Sequence, residues 1–217
     1  MSGEEMMRYY VESDGKVFLT ERNGVLDLPQ EGEIPFKVEQ IGSLATSSPV
    51  LFCVPELDRH PHKWLGKDEI ALHSNATSLV REAVHAGMPR VVVEGINSKE
   101  GKILLVRGSR GLTKGIWSLP GGFLRFGETP EQGLVREFGE ELGVVAQIER
   151  LFCVRAKLGV NSRLHWIMIF YQISISGKLS PDPDEIAEAR YFPLPGAKEL
   201  LSDKSMQDVV ASLSHLD

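Results

Sequence analysis

Three carboxylates, Glu137, Glu140 and Glu141, follow a glycine-rich stretch in the segment GFLRFGETPEQGLVREFGEELGV, residues 122–144. On a helix advancing about 100° per residue they fall within roughly 100° of arc, so three anionic groups crowd one face and repel one another. A hard divalent cation relieves such crowding, because magnesium takes oxygen ligands from a few carboxylates, substrate phosphates and water. Taken alone, the acidic face reads either as solvated helix surface or as half of a metal site that a phosphate-bearing substrate completes.

The elements that must position these acids are legible around them. Thr129 is a good N-cap, Pro130 suits the first helical position, and Gln132 completes a capping box. Leu134, Val135, Phe138 and Leu142 form an apolar stripe beside the carboxylates, and Gly143 is placed to end the helix in a left-handed cap. Gly133 and Gly139 weaken the helix by roughly 0.5–1 kcal/mol each, so packing must hold it in place. Gly121, Gly122 and Gly127, after Pro120, give the backbone freedom to turn sharply from a strand into the helix.

The spacing fits G-x5-E-x7-R-E-U-x-E-E-x-G-U, where U is bulky and apolar, with Gly122, Glu128, Arg136, Glu137, Phe138, Glu140, Glu141, Gly143 and Val144 in its fixed places. That pattern is the Nudix box, and the chain resembles a Nudix hydrolase. Phe138 departs mildly, since the family more often has an aliphatic residue there, which changes packing and not chemistry. The resemblance implies an α/β fold, an α/β/α sandwich with a mixed sheet, over residues 89–217. It leaves residues 1–88 to a smaller, mainly β N-terminal domain. It also implies that the Gly121 carbonyl joins Glu137, Glu140 and Glu141 as a metal ligand, and that Glu128 and Arg136 pair to hold the loop against the helix.

Phosphoanhydrides resist attack because their oxygens repel nucleophiles, so an enzyme must neutralise that charge and orient and deprotonate a water. The expected reaction is Mg2+- or Mn2+-dependent hydrolysis of a nucleoside diphosphate linked to a further group. Glu137 is the first candidate for general base, with Glu185, then Glu188 and Asp184, as distant ones. Trp117 and Phe123 flank the glycine loop and suit either base stacking or the core, while Arg107, Arg110, Lys114 and Arg125 suit phosphate or solvent. The resemblance favours ADP-ribose or a related dinucleotide or nucleotide sugar. A nucleoside triphosphate pyrophosphatase and a non-catalytic nucleotide-sensing regulator are the alternatives.

Composition narrows the partners. The 217 residues carry a formal charge of -6, which argues against a nucleic-acid polymer as partner and leaves a small-molecule nucleotide. Cys53 and Cys153 sit in apolar LFCV words and read as buried hydrophobes rather than a zinc or disulfide framework. Neither a leader nor an apolar run of about eighteen residues is apparent, so a cytoplasmic protein without membrane insertion is expected. An N-terminal β segment with unpaired edges offers a route to a homodimer.

Along the chain, residues 8–28 read as hairpins turning at Asp14-Gly15 and Asn23-Gly24, residues 50–54 as a strand, and residues 75–86 as a helix stopped by Gly87. His60, Pro61, His62, Lys63 and Trp64 read as a surface loop, two histidines being too few for a zinc site. VVVEGI, KILLVRG, QIERLFCVRA and HWIMIFYQISI are strands, the last apolar enough to be central in its sheet. Residues 196–201 and 206–213 are helical.

Overall fold

Asp14 and Gly15, both with left-handed backbones (φ 49° and 71°), turn Arg8–Ser13 (β1) back onto Lys16–Phe18 (β2). Asn23 and Gly24 (φ 54° and 76°) do the same for Thr20–Arg22 (β3) and Val25–Asp27 (β4). This is the turn chemistry that Asp-Gly and Asn-Gly supply between short strands. The computed structural model describes residues 6–59, 61–159 and 163–213. Its chain divides into Met1–Pro89 with Leu158–His165, and Arg90–Lys157 with Trp166–Asp217.

In the first unit Val38–Ser43 (β5), Val50–Pro55 (β6) and Leu65–Gly66 (β7) join β1 and β2 in a sheet of order β5-β6-β1-β2-β7, with β1 and β6 parallel. Two helices follow, Lys67–Leu72 (α1) and Ser78–Gly87 (α2). The Thr77 hydroxyl accepts from the Val80 N–H at 3.3 Å, so α2 begins after Thr77 rather than at 75. Val80, Ala83 and Val84 pack on Tyr10, Val17 and Val50. The sequence reading missed α1, too short to show a helical period, and β5, whose largely exposed residues show no apolar alternation. Trp64 is no loose loop residue, since it packs on Phe18 and Phe36 at ring separations of 5.3 and 5.4 Å. His60 lies outside the described residues.

The second unit contains Arg90–Ile96 (β8), Ser98–Lys99 (β9), Lys102–Gly108 (β10), Trp117–Ser118 (β11), Gly121–Phe123 (β12), Pro130–Leu142 (α3), Val145–Leu158 (β13), His165–Ser176 (β14), Ile186–Pro193 (β15), Leu194–Leu200 (α4) and Lys204–Leu213 (α5). One sheet runs β12-β8-β14-β13 and is mixed, β8 being parallel to β14 and antiparallel to β12. The other runs β11-β10-β15, with β9 also on β10. The apolar β14 is internal in its sheet.

Strand alternation builds two cores at once. Leu104 and Val106 of β10 meet Leu134, Phe138 and Leu142 of α3, while Ile103 and Leu105 meet Ala197 of α4 and Val209 and Val210 of α5. Helices therefore cover both faces, in an α/β/α arrangement. A Cβ on Gly95 would lie 2.4 Å from the Phe138 ring, so this glycine makes room for the aromatic that stands where an aliphatic is usual.

Candidate active site

A capping box starts α3. Thr129 Oγ1 accepts from the Gln132 N–H at 3.3 Å, and Gln132 Oε1 accepts from the Thr129 N–H at 3.0 Å. Gly143 ends the helix at φ 64°. Leu134, Phe138 and Leu142 are fully buried, whereas Val135 is 37% exposed and does not belong to the buried stripe. The stripe follows the i, i+4 rows, which Val135 leaves by one residue's rotation.

β12 brings two glycines under this helix. A Cβ on Gly122 would stand 2.7 Å from the Glu137 carboxyl carbon, and one on Gly121 (φ 148°) would stand 2.0 Å from the Val93 carbonyl oxygen. The Gly121 N–H donates to Glu141 Oε2 at 3.3 Å. A Cβ on Gly133 would meet Leu124 at 2.5 Å, so the loop after β12 packs directly on the helix backbone.

Arg136 ties loop and helix together. Its Nε and Nη2 donate to the two Glu128 oxygens at 2.6 and 2.9 Å, and Nη2 also donates to the Phe123 carbonyl at 2.9 Å. Its Nη1 donates to Glu137 Oε1 at 2.7 Å and Glu140 Oε2 at 2.9 Å. Arg125 Nη2 donates to both Glu140 oxygens, at 2.9 and 3.1 Å. These bonds hold the Glu128 carboxyl down at about 2 and lower that of Glu140.

The inner acids shift the other way. Burial, opposed by the Arg136 bond and aided by Glu140 and Glu185, raises Glu137. Burial and then the Glu137 charge push Glu141 up to about 8, although the Gly121 N–H works against this. The rim acids are thus held down by arginine and the inner pair pushed up by burial and mutual repulsion, which is the condition a cation relieves.

Glu185 stands close enough for its charge to raise both Glu137 and Glu141, and its carboxylate pairs with Arg110. Glu188 is paired instead with Arg107 at 3.0 Å and Arg190 at 3.2 Å. The Asp184 N–H bonds Asp182 Oδ1 in a local turn. Trp117 makes an edge contact with Phe192 at 4.9 Å, with Arg107 and Arg190 over its ring at 5.6 and 5.8 Å. Phe123 is 53% exposed beside Trp166.

Sequence reasoning missed Glu94. It lies on β8 opposite Gly121, is 7% exposed, and its Oε2 has no hydrogen-bond partner. Burial first, then the charges of Glu141 and Glu137, raise its carboxyl well above the ordinary range against the pull of Lys157. The available signal was a single carboxylate inside the otherwise apolar VVVEGI strand.

Among the described residues no three acidic, imidazole or thiolate groups converge tightly enough to hold a metal ion. Arg136 and Arg125 occupy Glu137 Oε1 and both Glu140 oxygens. The donors nonetheless fit a hard divalent cation: they are all oxygens, two are raised by burial and mutual repulsion, and a buried carboxylate oxygen nearby is unpartnered.

Residues 88–213 match the family model for the NUDIX domain, and the chain belongs to the Nudix hydrolases. It is 36% identical over 115 residues to an ADP-ribose pyrophosphatase of Methanocaldococcus jannaschii, a match covering 53% of this chain and 68% of that protein. It is 34% identical over 107 residues to the NAD-capped RNA hydrolase NudC of Pseudomonas aeruginosa (strain LESB58), covering 48% of this chain but only 36% of the relative. The MutT protein structure from Methanosarcina mazei Go1 shares the fold, with a TM-score of 0.52 and 20% identity over 59% of this chain and 96% of that one. No helix among the described residues is long and apolar enough to cross a membrane.

Proposed function

We propose that this enzyme hydrolyses the phosphoanhydride of a nucleoside diphosphate linked to a further group, with ADP-ribose or a related nucleotide sugar or dinucleotide as substrate and Mg2+ or Mn2+ as cofactor. The observation that carries the reading is the half-buried pair Glu137 and Glu141 seated at the Gly121-Gly122 turn and braced by Arg136. The relative named an ADP-ribose pyrophosphatase supports the substrate class.

Glu137, Glu140, Glu141 and the Gly121 carbonyl would hold the ion, which when bound neutralises phosphate charge and makes a water more acidic. The chain's own residues do the rest. Arg136 fixes Glu137 against Gly122, so this carboxylate is positioned to accept the water's proton. Glu185, beside the same pair, is the second candidate for that role. Arg125 and Arg107 are long cations at partly exposed positions, 62% and 41% for their side chains, and each can exchange its carboxylate partner for a phosphate. Trp117 offers a ring braced by Phe192 for a base. Residues 89–217 form the catalytic domain in this reading, and residues 1–88 an accessory β-rich one.

Incubation with ADP-ribose, other nucleoside diphosphate derivatives and nucleoside triphosphates, with products read by mass, tests the assignment. AMP with ribose 5-phosphate is expected. A nucleoside monophosphate with pyrophosphate, from triphosphates only, would move the enzyme to the triphosphate pyrophosphatases.

A further inference from the structure

The Nudix box accounts for the acids on α3, but Glu94 lies outside it, on the strand that pairs with the glycine turn. β8 and β12 are in register with Glu94 opposite Gly121 and Val93 opposite Gly122. The same Gly121 is bound through its N–H to Glu141, and Gly122 leaves the space that the Glu137 carboxylate fills. Glu94 is therefore one strand away from the backbone that seats both inner acids.

Its environment has no ordinary explanation. The residue is 7% exposed, Phe170 lies opposite it on β14, and Oε2 meets no donor. Burying a carboxylate oxygen without a partner is unfavourable, and a like-charged neighbour adds to that. Lys157 acts on Glu94 electrostatically, but its ammonium is paired with Asp203. A structural role would be served better by glutamine, which fits the same volume without the charge.

We propose that Glu94 supplies a further carboxylate ligand to the divalent cation, closing the site from the sheet side while Glu137 and Glu141 close it from the helix side. This rests on the reading of the box acids as a metal site. A divalent ion here would pair the orphaned oxygen and remove the repulsion among the three buried carboxylates in one step.

The test is Mn2+ binding without substrate, followed by the electron paramagnetic resonance signal of the free ion, for wild type, Glu94→Gln, Glu94→Asp and Glu137→Gln. Glu94→Gln is expected to weaken Mn2+ by about tenfold or more, at least the loss that removing a group which only supports a metal ligand brings. Glu94→Asp should fall between Glu94→Gln and wild type. Metal-free Glu94→Gln should melt at or above the wild-type temperature, since it removes a buried carboxyl group whose Oε2 has no partner. Wild-type Mn2+ affinity in Glu94→Gln, with affinity lost in Glu137→Gln, overturns the assignment of Glu94 alone. Unchanged affinity in both variants overturns the metal reading of the box itself. If Glu94→Gln does not fold, Glu94→Asp decides, and undiminished affinity there counts against the proposal.

Discussion

Arg136 distributes its donors among Glu128, Glu137, Glu140 and the Phe123 carbonyl, so one guanidinium sets both the loop position and the ionisation of the rim acids. Lysine keeps the charge but not the planar fork. Arg136→Lys is expected to lower stability by about 1–3 kcal/mol through lost charge-assisted bonds, and to lower kcat as Glu137 loses its brace, checked by denaturant unfolding and steady-state kinetics. The pH dependence follows from Glu141. Its folded carboxyl is raised to about 8 from 4.5, so protonation favours the folded state. The associated stability is complete below the unfolded value and is lost as pH rises from about 4.5 through 8. The melting temperature of metal-free protein should therefore fall across that window, and Glu141→Gln should flatten the slope. The residues of this site were legible because box chemistry is local: glycines, acids and arginine sit within one turn and one helix. Glu94 was not, because only strand pairing brings residue 94 to residue 121.

The glycines of α3 separate two kinds of constraint at the scale of the element. Gly133 has Leu124 at 2.5 Å from where a Cβ would be, while Gly139 has nothing within 4 Å. Gly139→Ala should therefore stabilise the protein by about 0.5–1 kcal/mol with activity unchanged, and Gly133→Ala should destabilise it by displacing the loop, both read by thermal unfolding. In sequence both glycines carry the same helix cost, but Gly133, one turn before Glu137 on its face, is the one that reads as leaving room for a loop or ligand, and Leu124 of the loop is what approaches it. The strands of the second unit were read correctly wherever their apolar runs were long, as in β10 and β14. In the first unit the short α1 and the exposed β5 carry too little periodicity to be seen, and Trp64 was placed by an aromatic cluster that assembles from distant segments.

For the whole molecule, the two-core layering explains why a helix weakened by two glycines holds its shape: α3 buries Leu134, Phe138 and Leu142 against the sheet, and Gly95 admits the Phe138 ring. Substituting Gly95→Ala should cost roughly 1–3 kcal/mol through overpacking. Divalent ions should act on the entire fold by mass action. At about one hundred times the dissociation constant, Mn2+ should stabilise the protein by about 2.7 kcal/mol, and a chelator should reverse the gain in melting temperature.

The most direct test is the rate of ADP-ribose hydrolysis under single-turnover conditions, for wild type and Glu137→Gln, with Mg2+ and after its removal by chelator. Wild type should convert ADP-ribose to AMP and ribose 5-phosphate only with the ion present. Glu137→Gln should be slower by ~10²–10⁴-fold while remaining folded. Hydrolysis that persists in chelator, or a Glu137→Gln rate equal to wild type, would contradict the account.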